Sequence, residues 1–304
     1  MQTATATKEK LQAASASVLS ALLLTGMKVA AGVLSGSLGI LAEAAHSSLD
    51  LVAALFTWGA IHLASKPPDR DHPYGHGKIE NLSALAQTLL LLLTCGWICY
   101  EAIERLFFRP VHVAASVWSF LVIVISIAVD VYRSRKLQAA AIKHNSPALA
   151  ADALHFSSDI WSSAVVLVGL GCTKLVDFFP AWGFLHKADA LAALVVAAVV
   201  AIVTLKLGIK AVHGLLDAAP DGIPRTVKET VESIPGVSDC HRIRVRHSGP
   251  QLFIDLHVRL NGHQTLIEAH ALTDKIERHL KKMWPGADVT VHAEPVRSTK
   301  LASN

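Results

Sequence analysis

The chain has 304 residues, 52% of them hydrophobic and 17% charged, with a mean hydropathy of +0.43 and a net charge of +4. Soluble domains usually carry about 25% charged residues, and here the charge is gathered into short stretches between long apolar ones. That pattern excludes an ordinary soluble protein, argues for several membrane spans, and gives no ground for a nucleic-acid partner.

Six segments are apolar over roughly the 20 residues that a bilayer core requires. They are Ala13–Leu34, Leu38–Ala64, Ile79–Leu106, Val113–Tyr132, Pro147–Leu175 and Ala188–Leu215. Lys8 and Lys10 precede the first, and no small-residue cleavage site closes a short apolar core, so it reads as an uncleaved span. A cytoplasmic N-terminus gathers Lys8, Lys10, Lys66, Arg70, Lys78, Arg133, Arg135, Lys136, Lys143 and Lys210 on one side. It leaves Arg105, Arg109, Lys174 and Lys187 on the other. This asymmetry predicts that both termini are cytoplasmic. Cys95, Cys99, Cys172 and Cys240 form no paired pattern and read as packing residues in a reduced setting. Trp58, Trp97, Trp118 and Trp182 read as belt or packing aromatics.

After Pro220 the periodicity changes. Gly222–Ser233 predicts a short helix, Ile234–Val237 a turn, and His241–His247 and Leu252–Leu260 two half-buried strands. Thr265–Met283 has helical spacing, and Ala287–His292 makes a third strand. The expected fold is an α-helical membrane protein with six transmembrane helices, followed by a cytoplasmic α+β domain of α-β-β-α-β order, ferredoxin- or metallochaperone-like. Residues 1–219 form the first domain, 220–296 the second and 297–304 a polar tail. The second is small enough to favour a partner subunit, which suggests dimerisation or regulation.

Two spans carry matched polar residues. The second contains His46 and Asp50, and the fifth contains His155 and Asp159. A spacing of four puts each pair on one helix face, about one turn apart. Two such faces together offer two imidazoles and two carboxylates, a set that suits tetrahedral Zn²⁺. Mg²⁺ or Ca²⁺ would want more oxygens and Cu(I) would want sulfur. One such residue alone could be a helix–helix hydrogen-bonding group; two matching pairs at one depth, where a lone carboxylate is costly, predict a site. Two carboxylates balance either one Zn²⁺ or two protons, and protons compete with metal for its ligands, so metal/proton antiport is expected. Glu43 and Asp152 read equally as neighbours of the site or as packing residues. Asp130 beside Arg133 reads as an interfacial ion pair, and His144, His247 and His263 as solvated loop residues.

The sequence resembles the cation diffusion facilitators, a family of metal-efflux transporters, along nearly its whole length. The resemblance rests on the six spans, the paired His-x-x-x-Asp motifs, the cytoplasmic domain, Gly36–Leu41, and the loop Asp71–Glu80. It implies a homodimer that exports Zn²⁺, and sometimes Cd²⁺, Co²⁺, Fe²⁺ or Mn²⁺, against protons. It places the transport site on His46, Asp50, His155 and Asp159; many bacterial relatives have Asp where His46 stands, and the His form is similar to zinc-preferring members. It implies a loop metal site at Asp69, His72 and His76, and an inter-subunit ion pair of Lys78 with Asp217. It also implies a cytoplasmic zinc site of His241, His257, His292 and Glu294, with His270 as a further candidate. Alternation puts His257 and Asp255 on one strand face, and His292 and Glu294 on one face of the last strand.

Two other readings stay open. An intramembrane metal hydrolase could use the same residue types, but needs an open metal position and a base, and no His-Glu-x-x-His or Gly-x-Ser-x-Gly pattern occurs. A membrane-bound metal sensor would place the work in the cytoplasmic domain. No ATP-binding motif is present, so a nucleotide-driven pump is not expected. The short basic connection Arg133–Lys136 between spans four and five suggests a bacterial inner membrane.

Overall fold

The computed structural model describes residues 2–35, 38–107, 117–178 and 185–296. Six long helices come first: α1 (Gln2–Ser35), α2 (Leu38–Ala64), α3 (Lys78–Phe107), α4 (Val117–His144), α5 (Pro147–Phe178) and α6 (Leu185–Leu215). Then come α7 (Ile223–Glu232), β1 (Asp239–Ser248), β2 (Gln251–Leu260), α8 (Leu266–Met283) and β3 (Asp288–Pro295). The chain divides into two compact units, one of residues 4–212 and the other chiefly of residues 213–304.

The helical unit is apolar outside and partly polar inside. Leu22, Leu23, Leu93, Trp97, Val199 and Ile202 are exposed, while Lys10, Lys28, Glu80, Asp130, Arg133 and Asp152 are buried. Lipid imposes this inversion, because apolar side chains gain nothing by leaving it and charged ones must be held by partners. Among the described residues, four helices are long and apolar enough to cross a membrane, namely α1, α2, α3 and α6. The expected fourth and fifth spans, now α4 and α5, do not reach that measure. Each carries charge turned away from lipid: buried Asp130 and Arg133 on α4, buried Asp152 and half-buried Asp159 on α5.

Several sequence expectations change here. The fourth helix does not stop at Tyr132 but continues to His144, so Arg133–Lys136 is helix rather than connection. Arg133 is turned inward, with its guanidinium 3.2 Å from Asp130 and 3.2 Å from Ser17, and 3.5 Å above the Phe156 ring. That pair is therefore buried within the helical unit. His144 is not a solvated loop residue, since it ends α4 and pairs with Glu9 at 2.9 Å. The link to α5 is only Asn145–Ser146, with Asn145 at φ 46. At the start of α3, Glu80 is fully buried between Lys10, 2.6 Å away, and the Ser146 hydroxyl. Gly208 of α6 lets that helix approach α3, since a Cβ there would sit 3.1 Å from Thr88 Oγ1.

In the second unit, α7 and α8 pack on one face of a three-stranded sheet of order β1-β2-β3. β1 and β2 are antiparallel, and β2 and β3 are parallel across the α8 connection. Leu252, Ile254, Leu256, Val258 and Leu260 alternate into the core, where Val227, Val231, Ile276 and Leu280 meet them. Thr265 and Glu268 form a capping box that starts α8. β1 departs from simple alternation through a bulge between His241 and Arg244, with Arg242 at φ 49. The extra residue lets Cys240 and Val245, five positions apart, both face the core. The side chains of Glu43, Arg105, Trp118, Cys172, Lys174 and Lys187, all of Gly36, Ser37, Arg109, Val113 and Trp182, and the tail 297–304 lie outside the described residues.

Candidate metal centres

Among the described residues, three groups of His, Asp and Glu could each hold a cation. The first lies in the helical unit, where α2 and α5 face each other. His46, Asp50 and Asp159 bring their ligand atoms within 4.8 Å of one another. The fourth expected residue, His155, stands beside them but is engaged: its Nε2 is 3.2 Å from Asp50 Oδ1 and 3.8 Å from Asp159 Oδ2. Asp159 Oδ2 makes no hydrogen bond among the described residues, and His46 Nε2 lies 3.9 Å from Asp159 Oδ1. A buried carboxylate oxygen without a donor is costly, and a cation would satisfy it. The helical repeat explains the gathering, since residues four apart stack on one face and two such faces meet.

His46, Asp50 and Asp159, but not His155, line a cavity of about 80 Å³ that also takes in Lys28, Ser47, Ser126, Asp130, Ser162 and Ser163. Sequence reasoning missed Lys28 altogether and placed Asp130 elsewhere. Lys28 had a usable signal, because it is the single charged residue between Lys10 and the end of α1. Asp152, by contrast, is fully buried in α5 and does not line the cavity.

The second group sits on the loop between α2 and α3. Asp69 Oδ1 accepts the backbone N–H groups of His72 at 2.7 Å and Asp71 at 3.0 Å, which folds the loop on itself. The His72 N–H is the main reason the Asp69 carboxyl lies below its ordinary pKa. His72 Nδ1 is 3.2 Å and His76 Nε2 3.4 Å from the two Asp69 oxygens, and the imidazole centroids are 4.4 Å apart.

The third group lies on the outer face of the sheet. His241 pairs across the strands with His257, and His257 with His292, so three imidazoles stand in one row. Glu294, two residues beyond His292, reaches back over this row. Its oxygens lie 2.8 Å from His257 Nδ1 and 3.3 Å from His241 Nε2. The His257 contact is the main influence holding the Glu294 carboxyl below its ordinary 4.5. The His292 ring centroid is 4.6 Å from that of His257. Imidazoles and a carboxylate at this spacing fit a zinc ion. Asp239 supports the row, with Oδ2 at 3.1 Å from His241 Nδ1 and 3.3 Å from Arg259. A carboxylate behind a ligating imidazole fixes its orientation. Sequence reasoning missed Asp239, although it stands two residues before His241 on the same strand. His270 is not part of the group: it is exposed on α8, with Asp274 at 3.8 Å.

Lys78 opens α3, and Asp217, at φ 57, accepts from Arg246 at 3.1 Å. His247 is half-buried within β1, whereas His263 is exposed in a turn. Cys95, Cys99 and Cys240 are free, and burial pushes the Cys240 thiol up to about 11, as suits a packing residue.

A membrane-helical unit with a His/Asp cluster between two helices, joined to a small sheet domain with a second cluster, defines a metal-cation transporter class. Residues 14–216 match the cation efflux transmembrane domain, and residues 219–296 match the cation efflux protein cytoplasmic domain. The chain belongs to this cation efflux family, the cation diffusion facilitators, and is a multi-pass membrane protein. It is 34% identical over 289 residues to the cation-efflux pump FieF of Yersinia enterocolitica, covering 94% of this chain and 92% of that one. FieF of Salmonella agona is 32% identical over 290 residues, covering 93% and 91%. Two solved chains of CzrB, one of them in a Zn form, are 28% and 26% identical. They cover 26% and 28% of this chain and 98% of their own, each with a TM-score of 0.25.

Proposed function

We propose that the chain is a homodimeric Zn²⁺/H⁺ antiporter that exports zinc from the cytoplasm by alternating access. The observation that carries this reading is the convergence of His46, Asp50 and Asp159 in one cavity of the helical unit, with His155 against Asp50. Two imidazoles and two carboxylates favour Zn²⁺ over harder cations, while Cd²⁺, Co²⁺, Fe²⁺ and Mn²⁺ remain substrates to be compared. One Zn²⁺ or two protons balance Asp50 and Asp159 equally, so exchange leaves the interior at the same charge. His155 stands against Asp50, within reach of the same ion as the fourth ligand.

In this reading all six long helices cross a bacterial inner membrane with both termini in the cytoplasm. Residues 1–219 carry transport and residues 220–296 form a dimerising metal-binding domain. His241, His257, His292 and Glu294 hold a resident zinc there that steadies the sheet face. Asp69, His72 and His76 take a further ion at the loop, and Lys78 and Asp217 join the two subunits. A second reading, a membrane-bound metal sensor, draws on the cytoplasmic cluster.

The test is metal uptake into proteoliposomes under a pH gradient, comparing Zn²⁺, Cd²⁺, Fe²⁺ and Mn²⁺ for the wild type and Asp50→Ala. Zinc flux that needs the gradient and is lost in Asp50→Ala is expected. Flux that ignores the gradient removes antiport. Absence of any flux alongside intact metal binding favours the sensor.

A further inference from the structure

The cavity and the tightest helix packing lie on opposite sides of the His/Asp cluster. Away from the cluster, the cavity is lined by Lys28 of α1, Ser47 of α2, Ser126 of α4 and Ser162 of α5. These residues point to the end of the helical unit where α1 and α5 finish and α2 and α4 begin. The other end, where α3 and α5 begin and α2 and α4 finish, is shut. Ile61, Leu137 and Leu149 are no more than 1% exposed there and pack with Ala14 of α1 and Ala153 of α5. Glu80, in the first turn of α3, is fully buried at the same end. Lys10 of α1 lies 2.6 Å from its Oε1, and the Ser146 hydroxyl, just before α5, donates to its Oε2. One carboxylate thus joins α1, α3 and the start of α5. Beside Lys10, Glu9 pairs with Lys143 and, at 2.9 Å, with His144 at the end of α4. An ion that reaches the cluster from this end must pass between the elements that these bonds join.

We propose that Lys10, Glu80 and Ser146 form a latch that sets which end of the helical unit the metal cluster opens to, and that the latch is closed in this structure. This rests on the transport reading of His46, Asp50, His155 and Asp159, in which the latched end is the cytoplasmic one. In lipid, apolar packing between spans supplies little driving force, so polar bonds decide whether helix ends stay together. A buried ion pair suits reversible closure. Its desolvation cost offsets much of its attraction when the end is shut, and water solvates both charges when the end opens. The two arrangements then lie close in free energy, as a carrier that visits both requires. A neutral pair gains no such hydration and holds the end shut. A lone Glu80 carboxylate finds a partner only in water, and so holds the end open. Lys10 and Glu80 are positioning residues, which act by choosing between two arrangements rather than as ligands.

The experiment reads the two ends by the reactivity of single cysteines towards a water-soluble maleimide. It uses the metal-free full chain in detergent, with Cys95, Cys99, Cys172 and Cys240 replaced by Ala. Ala153→Cys reports on the latched end and Ser162→Cys on the cavity. With the latch intact, Ser162→Cys should react and Ala153→Cys should be protected. Lys10→Met should speed labelling of Ala153→Cys by about tenfold or more and slow that of Ser162→Cys. Lys10→Met/Glu80→Gln should leave Ala153→Cys protected. Both variants should slow zinc flux into proteoliposomes by about tenfold, one by staying open and the other by staying shut. Ser146→Ala keeps both charges and should shift labelling in the direction of Lys10→Met by about threefold, which carries the test if Lys10→Met does not fold. Opposite changes at the two cysteines separate a latch from a merely structural pair, whose loss would expose both. Changes in the same direction, or none, overturn the proposal, and so does wild-type flux in the double variant. Wild-type flux that is absent, or that survives Asp50→Ala, sinks the transport reading and this inference with it. Asp50-dependent flux without the opposite labelling sinks only the latch.

Discussion

The helical unit and the sheet unit solve opposite problems with the same residue types. In the first, Lys10, Lys28, Glu80, Asp130 and Arg133 are inside and leucines are outside; in the second, Ile254, Leu256, Ile276 and Leu280 are inside and the charges are outside. Water makes apolar burial the driving force in the second. Lipid removes that force in the first and leaves polar bonds to connect the helices. Accordingly α1 meets its neighbours through Lys10–Glu80, Lys28–Ser47, Arg133–Ser17 and Trp58–Ser15. Both units also gather His and carboxylates, one by helical repeat and the other by cross-strand register.

The comparison can be broken most severely at the clusters. Asp159→Ala should abolish zinc transport and leave zinc stabilisation of the sheet unit intact. His257→Ala should do the reverse, sparing the helical cluster while removing the rise in unfolding temperature that Zn²⁺ brings and EDTA reverses. Loss of both properties in either variant would mean that the clusters are not separate sites. The expected loss of transport is total, whereas a structural zinc would contribute several kcal/mol to its own domain.

The polar interior of the helical unit is tested next. Lys10→Met leaves Glu80 buried without its ammonium and should destabilise that unit by about 3–5 kcal/mol, seen as a lower unfolding temperature in detergent. The double variant Lys10→Met/Glu80→Gln should recover much of the loss, because no charge is then stranded. If the single variant unfolds with the wild type, polar bonds are not what hold α1.

At the local scale, Thr265→Ala removes one half of the α8 capping box and should cost about 1 kcal/mol, read from denaturant unfolding of the sheet unit. The smallest effect concerns Glu294. Its folded pKa lies below the ordinary 4.5, so its charge contributes stability above that value, and the contribution disappears as pH falls through the lower folded value. The unfolding-temperature gap between metal-free wild type and Glu294→Gln should therefore be present at neutral pH and close in acid. A gap that persists well below the carboxylate range would place the effect in packing.

Much of this protein is legible in one dimension. His46/Asp50 and His155/Asp159 declare themselves by a spacing of four in apolar helices, because helical periodicity is local and needs no partner to be read. The order α7-β1-β2-α8-β3 follows equally from local alternation and helical spacing. The row His241, His257 and His292 is different, since its members are joined only by strand register, and Asp239 behind them entered with that register. The bulge at Arg242 depends on the same pairing. Lys28 went unread and Arg133 read as a cytoplasmic-side residue beside Asp130; both side chains turn inward because Ser47, Asp130 and Phe156 await them there. Local chain chemistry settles what a segment can be. Which buried charge faces which partner depends on contacts between segments far apart, and those exist only once the helices have packed.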